Sequence, residues 1–100
     1  MFRGSTPTHK FYIPFSVDVI DKVLIAYAQN DNVLFVKEVD SSKMDGQSIT
    51  VKLTQDETLL FDCFKRIVQI QLKIKTLGGD VLISKMTLVD LERCLFDEVI

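Results

Sequence analysis

The stretch that decides the fold is residues 67–77, which read IVQIQLKIKTL. Apolar and polar side chains alternate along it with a period of two. Successive side chains of a β-strand point to opposite faces, so this pattern predicts a strand with one buried and one solvated face. A helix of the same composition would spread its polar residues around its circumference. The predicted inward positions are Val68, Ile70, Leu72 and Ile74, and the outward ones are Gln69, Gln71, Lys73 and Lys75.

Turn residues extend this strand into a hairpin. Gly78, Gly79 and Asp80 follow it directly, and glycine accepts a positive φ without steric cost. The chain resumes with VLISKMTLV at residues 81–89. Residues 67–89 are therefore predicted to form one β-hairpin.

Four further strands are predicted upstream, from the same alternation and the turn residues between them. Asn30-Asp31-Asn32 indicates a tight turn, because Asn and Asp tolerate left-handed backbone conformations. Asp45-Gly46 is a second turn signal, and it predicts a hairpin over residues 33–53 with a longer loop. Pro14 lacks an amide donor, which predicts that the first strand lies at a sheet edge or ends there. The four predicted strands are residues 9–15, 22–29, 33–39 and 48–53.

Three segments interrupt or end the β pattern. Thr54-Gln55-Asp56-Glu57 has the spacing of a capping box, in which the Thr hydroxyl and the Glu carboxylate bind free amides at a helix start. This predicts one or two helical turns near residues 54–61. Residues 16–21 are predicted to contain another short helical turn. The end of the chain fits either a final strand or a short helix, and the preferred interpretation is an extended segment up to about Leu95.

Length and strand spacing predict the fold class. A chain of 100 residues has the common size of a single domain. Six or seven short strands with frequent turns predict an all-β fold, an antiparallel β-sandwich of immunoglobulin-like topology with one short helical turn near residues 54–61. The predicted organisation is an N-terminal arm of residues 1–8, a sandwich domain of residues 9–93 and a C-terminal tail of residues 94–100.

Composition narrows the classes of function. Hydrophobic residues make up 47% of the chain, in blocks far shorter than the roughly 18 apolar residues of a membrane helix. The net charge is −2 with both signs scattered, whereas nucleic-acid binders concentrate Lys and Arg on one face. The opening MFRGSTPTHK lacks the apolar stretch of a secretory signal. We therefore expect a soluble protein made in the cytoplasm, with neither membrane nor nucleic acid as a partner.

Few side chains offer chemistry. His9 is the only histidine, and its spacing suggests no Ser-His-Asp or Cys-His arrangement. Cys63 and Cys94 are flanked by apolar residues, which predicts free, buried thiols; a disulfide between them is left open. No catalytic residue, cofactor or metal site is predicted, and the chain is not expected to be an enzyme.

Aromatic and apolar residues near the chain ends favour protein binding. Apolar side chains exposed outside a sandwich indicate a protein contact, and the closing residues 96–100 are apolar for a free tail. The first strand and the tail are the candidate contact segments. The candidate interaction residues are Phe2, Arg3, Tyr12, Phe96, Val99 and Ile100.

Six stretches distributed over nearly the whole chain carry a resemblance to known proteins. They are RGSTPT (3–8), FYIPF (11–15), YAQN (27–30), VKLTQDETL (51–59), VQIQL (68–72) and RCLFDEVI (93–100). This layout resembles small proteins of similar length encoded by phages and prophages of gut Firmicutes. It is similar, more loosely, to the immunoglobulin-like N-terminal domain of phage baseplate upper proteins.

The resemblance implies a structural protein of the virion, in the tail, the baseplate or the head-to-tail region. It implies other virion proteins and copies of the chain itself as partners, and no catalytic residues. The protein would be made in the host bacterial cytoplasm and end in the virion. Two other classes stay open: a β-sandwich module that binds carbohydrate or a host surface, and a small regulator of a host protein.

Overall fold

The computed structural model describes residues 1–92, 94–96 and 98–100. Two antiparallel β-sheets pack against each other around one core, which confirms the predicted all-β sandwich. The described residues form eight strands rather than the predicted six or seven, because residues 81–89 hold two strands and because the two-residue β4 was too short to show in the sequence pattern. The strands are β1 Thr8–Tyr12, β2 Ile20–Gln29, β3 Asn32–Glu38, β4 Met44–Asp45, β5 Ser48–Lys52, β6 Ile67–Thr76, β7 Val81–Ile83 and β8 Thr87–Asp90.

The long strands β2 and β6 form the centre of the larger sheet. Its strand order is β3-β2-β6-β7, and β8 pairs with another stretch of β6. The four residues of β6 predicted to face inward are all buried, which confirms the alternation. Three of them lie opposite buried residues of β2: Ile74 faces Val23, Leu72 faces Ile25, and Ile70 faces Tyr27.

The smaller sheet has the order β1-β5-β4 and covers the inner face of the larger one. β1 is an edge strand, as predicted, and it ends at Tyr12, two residues before Pro14, rather than at residue 15. From β5, Ile49 and Val51 enter the core, and Leu53 just beyond it is fully buried. The core is therefore made by alternate residues of both sheets, as a sandwich requires.

The strand connections are those of an immunoglobulin-like sandwich. The sheets β1-β5-β4 and β3-β2-β6-β7/β8 correspond to strands B-E-D and C′-C-F-G of that topology. Among the described residues, no strand occupies the position of strand A beside β1. Phe2 instead forms an isolated parallel bridge with Glu92, just after β8.

The predicted hairpin over residues 33–53 is wrong. β3 pairs with β2 in the larger sheet, whereas β5 pairs with β1 and β4 in the smaller one. The reason is the turn before β3: Asn30 and Asp31 have φ of 50° and 63°, and two consecutive left-handed residues form a tight hairpin turn. The Asp45-Gly46 turn is real, but it joins β4 to β5.

The hairpin over residues 67–89 is confirmed with one interruption. Both β7 and β8 pair with β6, and they are separated by residues 84–86. Ser84 occupies the break: its amide donates to the carbonyl of Leu72, and its hydroxyl accepts from the Leu72 amide. β8 ends at Asp90, so the strand is shorter than the predicted extension to about Leu95.

The capping box is present. The Glu57 amide donates to the Thr54 hydroxyl, the Thr54 amide donates to the Glu57 carboxylate, and a single helical turn, α1 (Gln55–Thr58), follows. Glu57 also accepts from the Lys37 ammonium at 2.9 Å. Burial alone would raise the pKa of Glu57, but the hydrogen bonds from Lys37 and Thr54 outweigh it and lower that pKa. The helical turn predicted in residues 16–21 is a 3-10 turn at Val17–Val19.

A buried glutamine anchors the loop that follows α1. Gln29 is 1% exposed. Its amide nitrogen donates to the carbonyls of Asp62 and Lys65, at 3.1 and 2.9 Å, and its amide oxygen accepts from the Asp62 main-chain amide at 2.7 Å. One side chain therefore satisfies three main-chain groups where the loop meets the end of β2.

Replacing Gln29 by Leu is expected to destabilise the fold strongly. The substitution removes the partner of the Asp62 amide and of the Lys65 carbonyl, whereas the Asp62 carbonyl keeps its bond from the Lys65 amide. Leaving a buried polar group unpaired costs about 1–3 kcal/mol, so Gln29→Leu should lower the free energy of unfolding by about 2 kcal/mol or more. Denaturant unfolding measures the change. The matched control is Gln69→Leu, a half-buried glutamine that bonds only exposed Asp31. An equal loss in both variants would contradict the anchoring role.

Candidate functional site

An apolar groove runs along one open side of the sandwich. It lies between edge strand β1 and strands β7 and β8, and its volume is about 750 Å³. Inward residues of β6 form its floor. Side chains from both sheets line it, among them Phe11, Ile13, Phe15, Leu72, Leu82 and Val89.

The β1 side of the groove is an unpaired strand edge. The Ile13 amide donates to Gln47, and the Leu53 amide donates to Pro7, both at 2.9 Å. Main-chain groups alternate in direction along an antiparallel strand, so every second residue of β1 bonds to β5 and the residues between point away from it. The outward main-chain groups are those of Thr8, Lys10 and Tyr12, and no strand of the described residues pairs with them.

The β7–β8 side is also unpaired over much of its length, but it is irregular. The break at Ser84 divides it, and the Ser84 carbonyl accepts from the Gln71 side chain at 2.9 Å. Such a break disrupts the regular ladder that an added strand would need. Leu82 and Ile83 stay exposed beside it. The two edges of the groove therefore differ: β1 is regular, and β7–β8 is interrupted.

The charges around the groove have one sign. Lys10 and Lys85 line it together with His9, and no Asp or Glu is among the described residues that do so. The Lys10 ammonium lies 5.5 Å from the centre of the Tyr12 ring, a cation–π distance. The groove therefore suits an apolar ligand that carries negative charge.

His9 ties β1 to the larger sheet. Its ring stacks on Tyr27 at 5.8 Å between centroids, and its Nδ1 shares a hydrogen bond of 2.9 Å with the Tyr27 hydroxyl. Burial, and then the positive chain N-terminus, lowers the pKa of His9. Burial, and then the negative charge of Glu57, raises the pKa of Tyr27. Both groups are therefore held neutral, and His9 has a structural partner in the core.

Four of the six predicted interaction residues meet in a second cleft. Phe2, Arg3, Phe96 and Ile100 line a hollow of about 370 Å³ on the surface formed by the two chain ends. Val99 lies in a neighbouring hollow with Ile100, beside Leu53 and Thr54. Tyr12 is not part of this cluster; it lines the apolar groove and is 78% exposed.

Arg3 and the N-terminal arm hold the fold together. The Arg3 guanidinium donates to the carbonyls of Leu59 and Phe61, at 3.0 and 2.7 Å. The Met1 ammonium donates to the Asp90 carbonyl, and the Glu92 amide donates to the Met1 carbonyl. The first residues are thus packed along the sandwich, and Thr8 already belongs to β1.

Sequence reasoning missed the groove and several exposed apolar side chains. Phe64 is 91% exposed, and Leu82, Ile83 and Leu88 are exposed on β7 and β8. The available signal was the run Val81-Leu82-Ile83, which is apolar on both faces of its strand. A strand covered on only one face would alternate there, so the run indicates a surface that this chain alone leaves open.

The prediction of buried cysteines is wrong. Cys63 and Cys94 are both free, and both are exposed. The apolar neighbours that suggested burial are themselves exposed: Phe64 beside one thiol, and Leu95 beside the other. Both cysteines lie outside the regular strands, where apolar sequence does not imply a core position.

Other kinds of site find little support in the part of the chain that the structure describes. There, no group of three His, Cys, Asp or Glu side chains is placed to hold a metal ion. No helix within the described ranges is long and apolar enough to cross a membrane. Comparison with protein-family models, curated proteins and solved structures finds no match to this chain.

The lowered pKa of His9 predicts a pH dependence of stability. The folded state resists protonation of His9, whereas the unfolded chain takes up the proton below its ordinary pKa of about 6.5. The free energy of unfolding should therefore fall as the pH decreases from 7 to 5. Urea unfolding at several pH values measures this slope. In His9→Gln the slope should be much smaller over the same interval, and an unchanged slope would contradict the assignment.

Proposed function

We propose that this chain is a structural protein of a phage particle, an assembly module that binds other virion proteins in the tail, baseplate or head-to-tail region. The observation that carries the assembly role is the apolar groove bordered by two unpaired sheet edges. The assignment to a virion rests on the resemblance of the six stretches described above. The proposal includes no catalytic activity.

The groove supports binding by strand addition. An unpaired edge offers main-chain amides and carbonyls to a second chain, and neighbouring pockets select its alternate side chains. β1 presents three residues with outward main-chain groups, and the groove lies directly behind them. An extended segment placed there would complete the smaller sheet at the position of the absent strand A.

Apolar burial adds to the main-chain pairing. Fully burying a side chain the size of Leu or Phe contributes about 1.5–3 kcal/mol. Leu82 lines the groove on the inner side of β7, opposite buried Ile74, and is 43% exposed in the single chain. An added strand would remove it from water, so the sandwich alone leaves this burial incomplete.

The partners under this proposal are other virion proteins and copies of the chain itself. The protein is made in the host bacterial cytoplasm and resides in the virion. Neither a nucleic acid nor a membrane is part of the proposal. Tyr12 does not support the sugar-binding alternative, because the Lys10 ammonium already lies over the ring on which a sugar would stack.

The test is whether the chain enters virus particles, and whether it needs the β1 edge to do so. Lys10→Pro removes an amide that points away from β5, so it blocks strand addition at little cost to the fold. Lys10→Ala is the matched control, because it removes the charge and keeps the amide. Quantitative mass spectrometry of purified particles from the phage that encodes the chain measures incorporation.

The unmodified chain and Lys10→Ala should be present at a fixed ratio to the other particle proteins. Lys10→Pro should be at least tenfold depleted, while thermal unfolding of the purified variant shows that it folds. Absence of the unmodified chain from the particles would refute the virion proposal. Incorporation of Lys10→Pro at the same ratio as the unmodified chain would show that assembly into the particle does not use the β1 edge.

A further inference from the structure

We propose that the groove receives residues 94–100 of a second copy of this chain, which adds to β1 as an extra antiparallel or parallel strand. The inference rests on the proposed assembly function and specifies one partner for it. Each copy would then act as donor through its tail and as acceptor through its groove.

The acceptor edge is β1 and not β7–β8. β1 is regular over its five residues, and its outward amides and carbonyls are aligned. The opposite edge is divided by the Ser84 break, whose main-chain and side-chain groups are already bonded to Leu72 and Gln71. A continuous added strand therefore pairs with β1 and reaches across the groove with its side chains.

The chemistry of the tail complements that of the groove. Alternate side chains of an extended strand share one face, so Phe96, Glu98 and Ile100 lie on the same side of an extended tail. This face carries two apolar groups with one carboxylate between them. On the groove side, Lys85 supplies a positive charge beside the apolar lining, whereas the Lys10 side chain shares the outer face of β1 with Tyr12; no acidic residue is among the described lining residues. Apolar contact and opposite charge thus favour the same pairing.

The length of the tail also matches the length of β1. A strand advances about 3.3 Å per residue, so the five residues of β1 extend over about 17 Å. The seven residues 94–100 would extend over about 23 Å, which covers β1 completely. Only a segment shorter than five residues would leave part of the edge unpaired.

In its own copy the tail is loosely held. Phe96 is 72% exposed and Ile100 is fully exposed. The Ile100 amide donates to the Gln55 side chain at 3.2 Å, a surface contact. The groove of a neighbouring copy would therefore bury more of the Phe96 and Ile100 side chains than the cleft at the chain ends does.

The arrangement is head-to-tail. Because donor and acceptor are different surfaces, the contact is heterologous, and repeated contacts close into a ring or continue as a filament. One interface, repeated, would therefore build a symmetric assembly from a single small chain.

Two full-length variants with opposite defects test the inference. Lys10→Pro blocks the acceptor edge and keeps the tail. The double substitution Phe96→Asp and Ile100→Asp disables the tail and keeps the groove, at positions too exposed to affect folding. Leu95→Asp is the matched control, since Leu95 is exposed and lies on the other face of an extended tail. Light scattering behind size exclusion measures the mass of each.

The unmodified chain and Leu95→Asp should associate, and each defective variant alone should stay at the 11.4 kDa of one chain. Mixed together, the two defective variants should form a one-to-one dimer, because one intact tail meets one intact groove. In that dimer, hydrogen exchange at the Lys10 and Tyr12 amides of the tail-defective copy should slow at least tenfold.

Three results would overturn the inference. One is association of the tail-defective variant alone, which would mean another occupant. Another is failure of the mixture to form the dimer. The third is an unmodified monomer at millimolar concentration, whether or not its β1 amides are protected. Each leaves the virion proposal standing if the unmodified chain is found in particles, so the two failures are distinguishable.

Discussion

The antiparallel pairing of β2 with β6 is the constraint on which the rest of the structure depends. Both strands have ten residues, and their inner faces place Val23, Ile25 and Tyr27 opposite buried residues of β6. All other strands of the larger sheet attach to these two, β3 through a tight turn and β7 and β8 along β6. The smaller sheet then covers the apolar face that the pair creates. Removing this pair would leave no surface for either sheet to pack on.

An aromatic cluster fixes how the two sheets meet. The Tyr27 ring stacks on Phe35 at 4.9 Å between centroids and contacts Phe61 and His9. His9 comes from β1, so the cluster holds the edge of the smaller sheet against the centre of the larger one. Because β1 is tied at this point, its inner side chains stay turned toward the core, and its outer main-chain groups stay at the open edge.

The edges of the sheets differ in how well they are protected from pairing with a strand of another chain. Natural proteins protect edges with breaks, prolines and charged side chains. β7–β8 has a break at Ser84, and Pro14 lies just beyond β1. Within β1 itself, only the side chains limit access, and the main-chain edge is regular. The groove and the exposed tail are both unburied apolar parts of one chain, and the proposed assembly role rests on these two.

Sequence alone determined most of the local structure: alternation identified most strands and the buried face of β6, Asn30-Asp31 identified a tight turn, and Thr54 with Glu57 identified the helix start. These signals act between neighbouring residues, so they can be read without the fold. Tyr12 and the tail were predicted as interaction elements, but the groove was not, and Arg3 proved to bond within the chain. Which strands pair, and which edges remain open, was decided only by the tertiary structure. A period of two shows which face of a strand is buried but not which partner covers it, because that choice depends on contacts between residues far apart in the chain.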